Sequence, residues 1–162
     1  MKYFLFSISI FLIAFHTYAQ SAKEKADEFY QAAKYKKAIP LYEKYRKNNR
    51  LDSLTLYRLG MSYGNNSNYK KAIATLKTAI EEKFYPGYTY GQMARFAALL
   101  KSDEELYSSM DSLLKYNPSS FALIKKDSVF EEYLEINYFS EKLAQMENKS
   151  YPCLSDEKSR LF

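Results

Sequence analysis

The chain has 162 residues, 47% of them apolar and 27% charged, enough for one domain with a real core plus short extensions. It carries a formal net charge of +5, one histidine, His16, and one cysteine, Cys153. That inventory excludes the usual serine or cysteine triad and a Cys/His zinc site, and four glycines with four prolines argue for helices rather than for strands joined by tight turns.

The N-terminal segment 1–19 reads as a secretory signal. Lys2 precedes thirteen uncharged, mostly apolar residues, Tyr3 to Phe15, and then a small-x-small pair, Thr17 and Ala19, with cleavage expected before Gln20. The apolar run is too short to span a hydrocarbon core of roughly 30 Å without strain, although an uncleaved segment would act as an anchor. No cysteine stands at the cleavage point for a bacterial lipid anchor. The expected location is therefore export, periplasmic or secreted, with no stable membrane anchor after cleavage. His16 would leave with the signal.

Charge is unevenly placed beyond it. Residues 20–84 hold 14 Lys/Arg against 7 Asp/Glu, and residues 85–162 hold 9 against 12. A basic half invites a nucleic-acid reading, but its lysines alternate with acids and apolar residues along predicted helices, as solvated outer faces do. No nucleic-acid partner is expected.

The segment Tyr35-Lys-Lys-Ala-Ile recurs as Tyr69-Lys-Lys-Ala-Ile, and Ala38 to Ala72 is a step of 34 residues. Leu56, Leu59, Gly60 and Tyr63 fall on one helix face, and Ala72, Leu76 and Ala79 on a second. Gly64-Asn-Asn-Ser-Asn68 between them has turn chemistry. One period upstream stand Ala26 and Phe29, then Tyr35, Ala38, Tyr42 and Tyr45, with Pro40 expected in the first turn of its helix and a break before about Lys34. One period downstream stand Met93, Ala94 and Ala97, then Leu106, Met110 and Leu113, closed by Pro118. Ser102 and Glu105 form a capping-box pattern there. Leu106 occupies a small-residue position, so a wider crossing or a shifted register is expected.

This spacing and these small positions resemble the tetratricopeptide repeat (TPR) family. The resemblance covers three copies, about 20–50, 52–84 and 86–118. It implies an all-α chain: a right-handed α-solenoid of three helix pairs, with short amphipathic helices over 119–148 capping the open end. The segment from Glu147, and in particular 149–162, reads as a loose polar tail holding Cys153 and ending in Leu161-Phe162. That apolar ending fits either a frayed terminus or a chain cut from a longer exported polypeptide.

The resemblance further implies a concave face that binds a peptide or protein. Its inward positions map to Lys23, Asp27, Tyr30 and Lys34 in the first copy, Tyr57, Met61 and Asn65 in the second, and Tyr88, Arg95 and Leu99 in the third. Tyrosines supply contact area at low entropic cost, and Lys23, Lys34 and Arg95 favour a carboxylate. The chain departs from the carboxylate-clamp subgroup that binds chaperone tails, because Asp27 stands where that subgroup has asparagine and the second copy lacks its lysine.

The adjacent carboxylates Glu81-Glu82, Asp103-Glu-Glu105 and Glu131-Glu132 point about 100° apart along a helix and do not converge on one site. With no phosphate loop or metal-ligand spacing, no enzyme activity, cofactor or metal is expected. The expected function is an exported adaptor; the contrasting one is a helical spacer or regulatory module of a larger polypeptide. N-terminal sequencing of the exported protein is expected to begin at Gln20; a start at Met1 would mean the segment is retained.

Overall fold

The computed structural model describes residues 22–151. The segment 1–19 expected to be a signal, the cleavage point expected before Gln20, Cys153 and the Leu161-Phe162 end lie outside the described residues. Among the described residues all regular structure is helical. Helix α1 occupies 22–31, followed by α2 (Tyr35–Arg46), α3 (Ser53–Asn65), α4 (Tyr69–Glu81), α5 (Pro86–Leu100) and α6 (Asp103–Tyr116). Two 3-10 turns, Pro118–Ser120 and Ser128–Phe130, introduce the short helices α7 (Phe121–Ile124) and α8 (Glu131–Leu134), and α9 (Asn137–Ser150) closes the fold.

The 34-residue step governs both burial and backbone. Ala38, Ala72 and Leu106 are fully buried, and so are Tyr42, Leu76 and Met110, each one period after the last. Leu106 thus points into the core despite its size. The turns inside the helix pairs repeat as well: Ala33, Ser67 and Lys101 all take the left-handed conformation, at φ 54°, 60° and 57°. After each, an N–H reaches back six residues inclusive, Lys34 to the Phe29 carbonyl at 2.8 Å, Asn68 to Tyr63 at 2.9 Å and Ser102 to Ala97 at 3.0 Å. That is the Schellman closure, which satisfies carbonyls a helix end would otherwise leave bare. Three non-glycine residues hold it, each at a backbone cost of roughly 1–2 kcal/mol.

Each helix packs on its chain neighbours, α2 on α3, α3 on α4, α4 on α5 and α5 on α6. Close approach sets the crossings. A Cβ at Gly60 would stand 2.8 Å from Leu76 Cδ2, and one at Gly64 would stand 2.0 Å from Phe96 Cζ. Gly64 was expected to begin a turn; instead α3 continues through Asn65, and the glycine is there so that Phe96 of α5 can press on the helix backbone. The turn itself is confined to 66–68.

Two further local expectations are corrected. Pro40 is the sixth residue of α2 rather than part of its first turn, because the helix starts at Tyr35, two residues after the left-handed Ala33. Its missing N–H removes one interior bond, tolerated on an exposed face. Ser102 is the N-cap residue of α6, but its side chain makes no capping bond. Glu105 is drawn away to Lys77 of α4 at 2.7 Å, and the acidic first turn of α6, Asp103 to Glu105, still faces the positive end of the helix dipole.

At the C-terminal end α9 buries Phe139, Leu143 and Met146 and packs against α6 and the turn at Pro118–Ser120. The Tyr133 hydroxyl donates to the Ala98 carbonyl at 3.3 Å, and Lys149 Nζ to the Leu114 carbonyl at 2.9 Å. Helix α9 runs to Ser150, and Tyr151 sets its ring edge-on to Phe121 at 5.9 Å. The stretch from Glu147 to Tyr151, expected to be loose, is therefore attached to the fold.

Two substitutions in α3 and its turn separate packing from backbone strain. Gly64→Ala is expected to lower stability by about 1–3 kcal/mol through overpacking, whereas Ser67→Gly, at an exposed left-handed position, raises it by about 1 kcal/mol. Urea unfolding followed by circular dichroism measures both.

Candidate functional site

Helices α1, α3 and α5 are the first members of the three pairs, and they carry nine of the ten expected site residues; the tenth, Lys34, lies just beyond α1. Contacts join these helices into an aromatic strip with a charged end. At that end Asp27 of α1 accepts from the Tyr42 hydroxyl at 2.6 Å, from Arg58 Nη1 of α3 at 2.9 Å and from Lys23 Nζ at 3.2 Å. Burial pushes this carboxyl up, but the donors Tyr42, Arg58 and Lys23 outweigh it and hold Asp27 below the ordinary carboxylate range. Asp27 and Lys23 are thus committed to fastening α1 onto α2 and α3. Lys34, at the N-cap of α2, is exposed.

The aromatic part follows. The Tyr30 ring meets Tyr35 edge-on at 5.8 Å and receives the Arg58 guanidinium at 5.9 Å. Tyr57 is only 7% exposed; it stacks on Phe84 at 4.5 Å and leans on Tyr88 of α5 at 6.0 Å. Burial first, then the hydrogen bond with Tyr88, drives its phenol pKa upward. Tyr88 and its neighbour Tyr85 are open to solvent, 58% and 76% exposed. The strip thus has Tyr57 as its buried foundation and Tyr85 and Tyr88 as its accessible surface.

Beyond Tyr88 a cleft of about 120 Å³ opens between α5 and the short C-terminal helices, with Gly91, Arg95, Leu123, Ile124 and Asp127 among its walls. Arg95 Nε donates to Asp127 Oδ2 at 2.7 Å, and Asp127 Oδ1 accepts from the Val129 N–H at 3.1 Å. Met61 is half-buried against the core. Asn65 is exposed and donates to the Met61 carbonyl at 2.8 Å, and Leu99 is exposed near the end of α5.

The structure therefore joins Lys23, Asp27 and Tyr30 through Arg58, joins Tyr57 to Tyr88, and places Tyr88 and Arg95 on one cleft. Arg58, Phe84 and Asp127 were not anticipated. Arg58 had a signal: it is the single charged residue of α3, and a lone charge in a largely buried helix needs a partner. Asp127 had none, since its role depends on how the chain turns back after Pro118.

The adjacent carboxylates are used singly. Glu82 pairs with Arg50 at 2.6 Å, Glu105 with Lys77 at 2.7 Å and Glu132 with Lys101 at 3.3 Å. Among the described residues no group of three His, Cys, Asp or Glu could hold a metal ion, and no helix is long and apolar enough to cross a membrane. In comparisons with protein-family models, curated proteins and solved structures, none matches this chain.

Two titrations check the fastening groups. Asp27 has a lowered pKa in the fold, so its stabilisation is present above the ordinary value of 3.8 and is lost as pH falls through the lower folded value. Asp27→Asn is accordingly expected to be less stable than the parent at neutral pH, the gap closing below about pH 4. Burial and then the Glu43 bond at 2.6 Å push the Tyr63 phenol up to about 12 from 10.0. Its contribution is whole below about pH 10 and is lost as pH rises towards 12. Tyr63→Phe flattens that alkaline slope in urea unfolding measured across pH.

Proposed function

We propose that the chain is an exported interaction adaptor of the tetratricopeptide type, a right-handed solenoid of three helix pairs that holds a peptide or protein partner on its concave face. The observation that carries the reading is the 34-residue step, which recurs in the buried positions Ala38, Ala72 and Leu106 and in the left-handed turns Ala33, Ser67 and Lys101. Stacked helix pairs of this kind present their first helices as a continuous surface. Here that surface carries Tyr30, Tyr57 and Tyr88, with large exposed rings at Tyr85 and Tyr88.

Exposed aromatic residues set on rigid helices make good binding hot spots, because they bury much area while losing few rotamers. In this reading the chain acts by recognition, without a cofactor and without chemistry of its own, in the periplasm or outside the cell once residues 1–19 are removed.

Affinity capture from the native envelope, using the exported protein as bait, tests the proposal. A partner is expected in stoichiometric amount, and Tyr85→Ser with Tyr88→Ser is expected to weaken capture by about tenfold or more, with the helical circular dichroism spectrum retained and the melt lowered only by the lost contact of Tyr88 with Tyr57. A partner retained by the double variant would refute the aromatic surface as the contact. No stoichiometric partner at all would favour the helical-spacer role.

A further inference from the structure

We infer that the cleft over Gly91 is a subsite for one aromatic side chain of a bound peptide, with an adjacent carboxylate of that peptide paired to Arg95. The inference deepens the adaptor reading and rests on it.

The argument starts from the repeat itself. Gly91 stands 34 residues after Tyr57, at the corresponding place on α5. In the earlier pair that place is filled by the Tyr57 ring, stacked on Phe84 and leaning on Tyr88. In the later pair the same place has no side chain. The omission is not forced by packing: a Cβ at Gly91 would find no atom nearer than Leu113 Cδ2 at 4.0 Å. Gly87, one turn earlier, differs, since a Cβ there would stand 2.7 Å from the Cβ of Asn117. Glycine is a poor helix former in an interior position, so the fold gains nothing from Gly91, yet the residue keeps the cleft open.

Size and chemistry then select the occupant. A space of about 120 Å³ is well below the roughly 300–1,000 Å³ of small-molecule pockets and suits a single side chain. Its apolar walls include Tyr88, Leu123, Ile124 and Phe130. Leu123 is 73% exposed and Tyr88 58%, so two large apolar groups stand uncovered at its rim. The polar end is Arg95. Asp127 accepts its Nε–H at 2.7 Å, and the side chain, with its terminal Nη–H groups, remains 40% exposed. Those N–H groups form the edge that binds a carboxylate in a bidentate manner. An aromatic residue next to an acidic one meets both demands.

The molecule offers its own reporters. It contains four glycines: Gly87 and Gly91 line the cleft, and Gly60 and Gly64 are buried in α3. Glycine-selective nitrogen-15 labelling therefore gives two signals at the subsite and two internal controls. The probe is a short capped peptide, Ser-Gly-Phe-Glu-Gly-Ser, labelled with fluorescein for anisotropy and unlabelled for NMR.

Titration is expected to move the Gly87 and Gly91 signals in a saturable way and to leave Gly60 and Gly64 in place. Replacing the phenylalanine of the probe by alanine abolishes the shifts, and replacing its glutamate by glutamine weakens binding by about tenfold. Arg95→Gln makes the glutamate and glutamine probes equal. Gly91→Leu fills the cleft, keeps the melting temperature and removes binding; Leu123→Ser, at an exposed position, weakens it without repacking the helix.

Several results overturn the inference. One is the absence of saturable shifts up to millimolar probe. Another is anisotropy binding that leaves Gly87 and Gly91 unmoved, which puts the peptide elsewhere on the aromatic strip and leaves the adaptor reading standing. Signals of Gly87 and Gly91 that depend on protein concentration without probe assign the cleft to a second copy of the chain. Signals that move when residues 152–162 are removed assign it to the chain's own C-terminal segment. Conversely, probe shifts at Gly91 in a protein that captures no partner would keep the subsite and remove the adaptor.

Discussion

Helix backbones in this protein approach one another at glycine and alanine, and the rest of the structure follows from that contact. Where Gly60 meets Leu76 and Gly64 meets the Phe96 ring, a single added methyl group has nowhere to go, because a packed interior forfeits either dispersion contact or rotamer quality when volume changes. The contact at Gly64 is between pairs rather than within one. It lets α5 lay an aromatic ring on the backbone of α3, and Tyr69 of α4 stacks on the same ring at 6.0 Å. One ring thus couples two successive helix pairs, and the positions of Tyr57 and Tyr88 are set relative to each other through it.

Polar contacts repeat the same coupling at a lower energy. Arg58 to Asp27, Arg50 to Glu82, Lys77 to Glu105, Arg95 to Asp127 and Lys101 to Glu132 each join residues close to one period apart in sequence. Most are exposed, and such pairs contribute about 0–1 kcal/mol. The Asp27 cluster differs because it is partly shielded, uses three donors and includes the buried Tyr42 ring. Removing one member of such a cluster leaves a shielded polar group unpaired, at a cost of about 1–3 kcal/mol. Residues offered as ligand contacts on pattern alone, Lys23 and Asp27, are thus part of the frame that holds the aromatic strip.

Division of labour along that strip explains its asymmetry. The α1 end is self-satisfied: its acid and bases neutralise one another and its rings meet protein neighbours. The α5 end is open, with Tyr85, Tyr88 and Leu123 uncovered, a glycine in place of a ring, and an arginine only partly engaged. In the proposed adaptor role, binding free energy would concentrate where apolar area remains uncovered, which is the junction of α5 with the C-terminal helices.

Much of this architecture was legible in the sequence, for a local reason. A helix records its buried face every three to four residues, and a repeated helix pair records it again every period, so Ala38, Ala72 and Leu106 could be assigned to the core from spacing alone, as could the break before Lys34 and the short amphipathic helices after Pro118. What spacing cannot carry is which partner a side chain meets across an interface. Gly64 has the composition of a turn and the role of a packing notch; Glu105 has the pattern of a cap and the role of an ion pair to Lys77; Asp127 belongs to Arg95 only because the chain doubles back to it. Those assignments belong to tertiary structure, since they depend on distances between residues about one period apart, which no local rule of helix geometry contains.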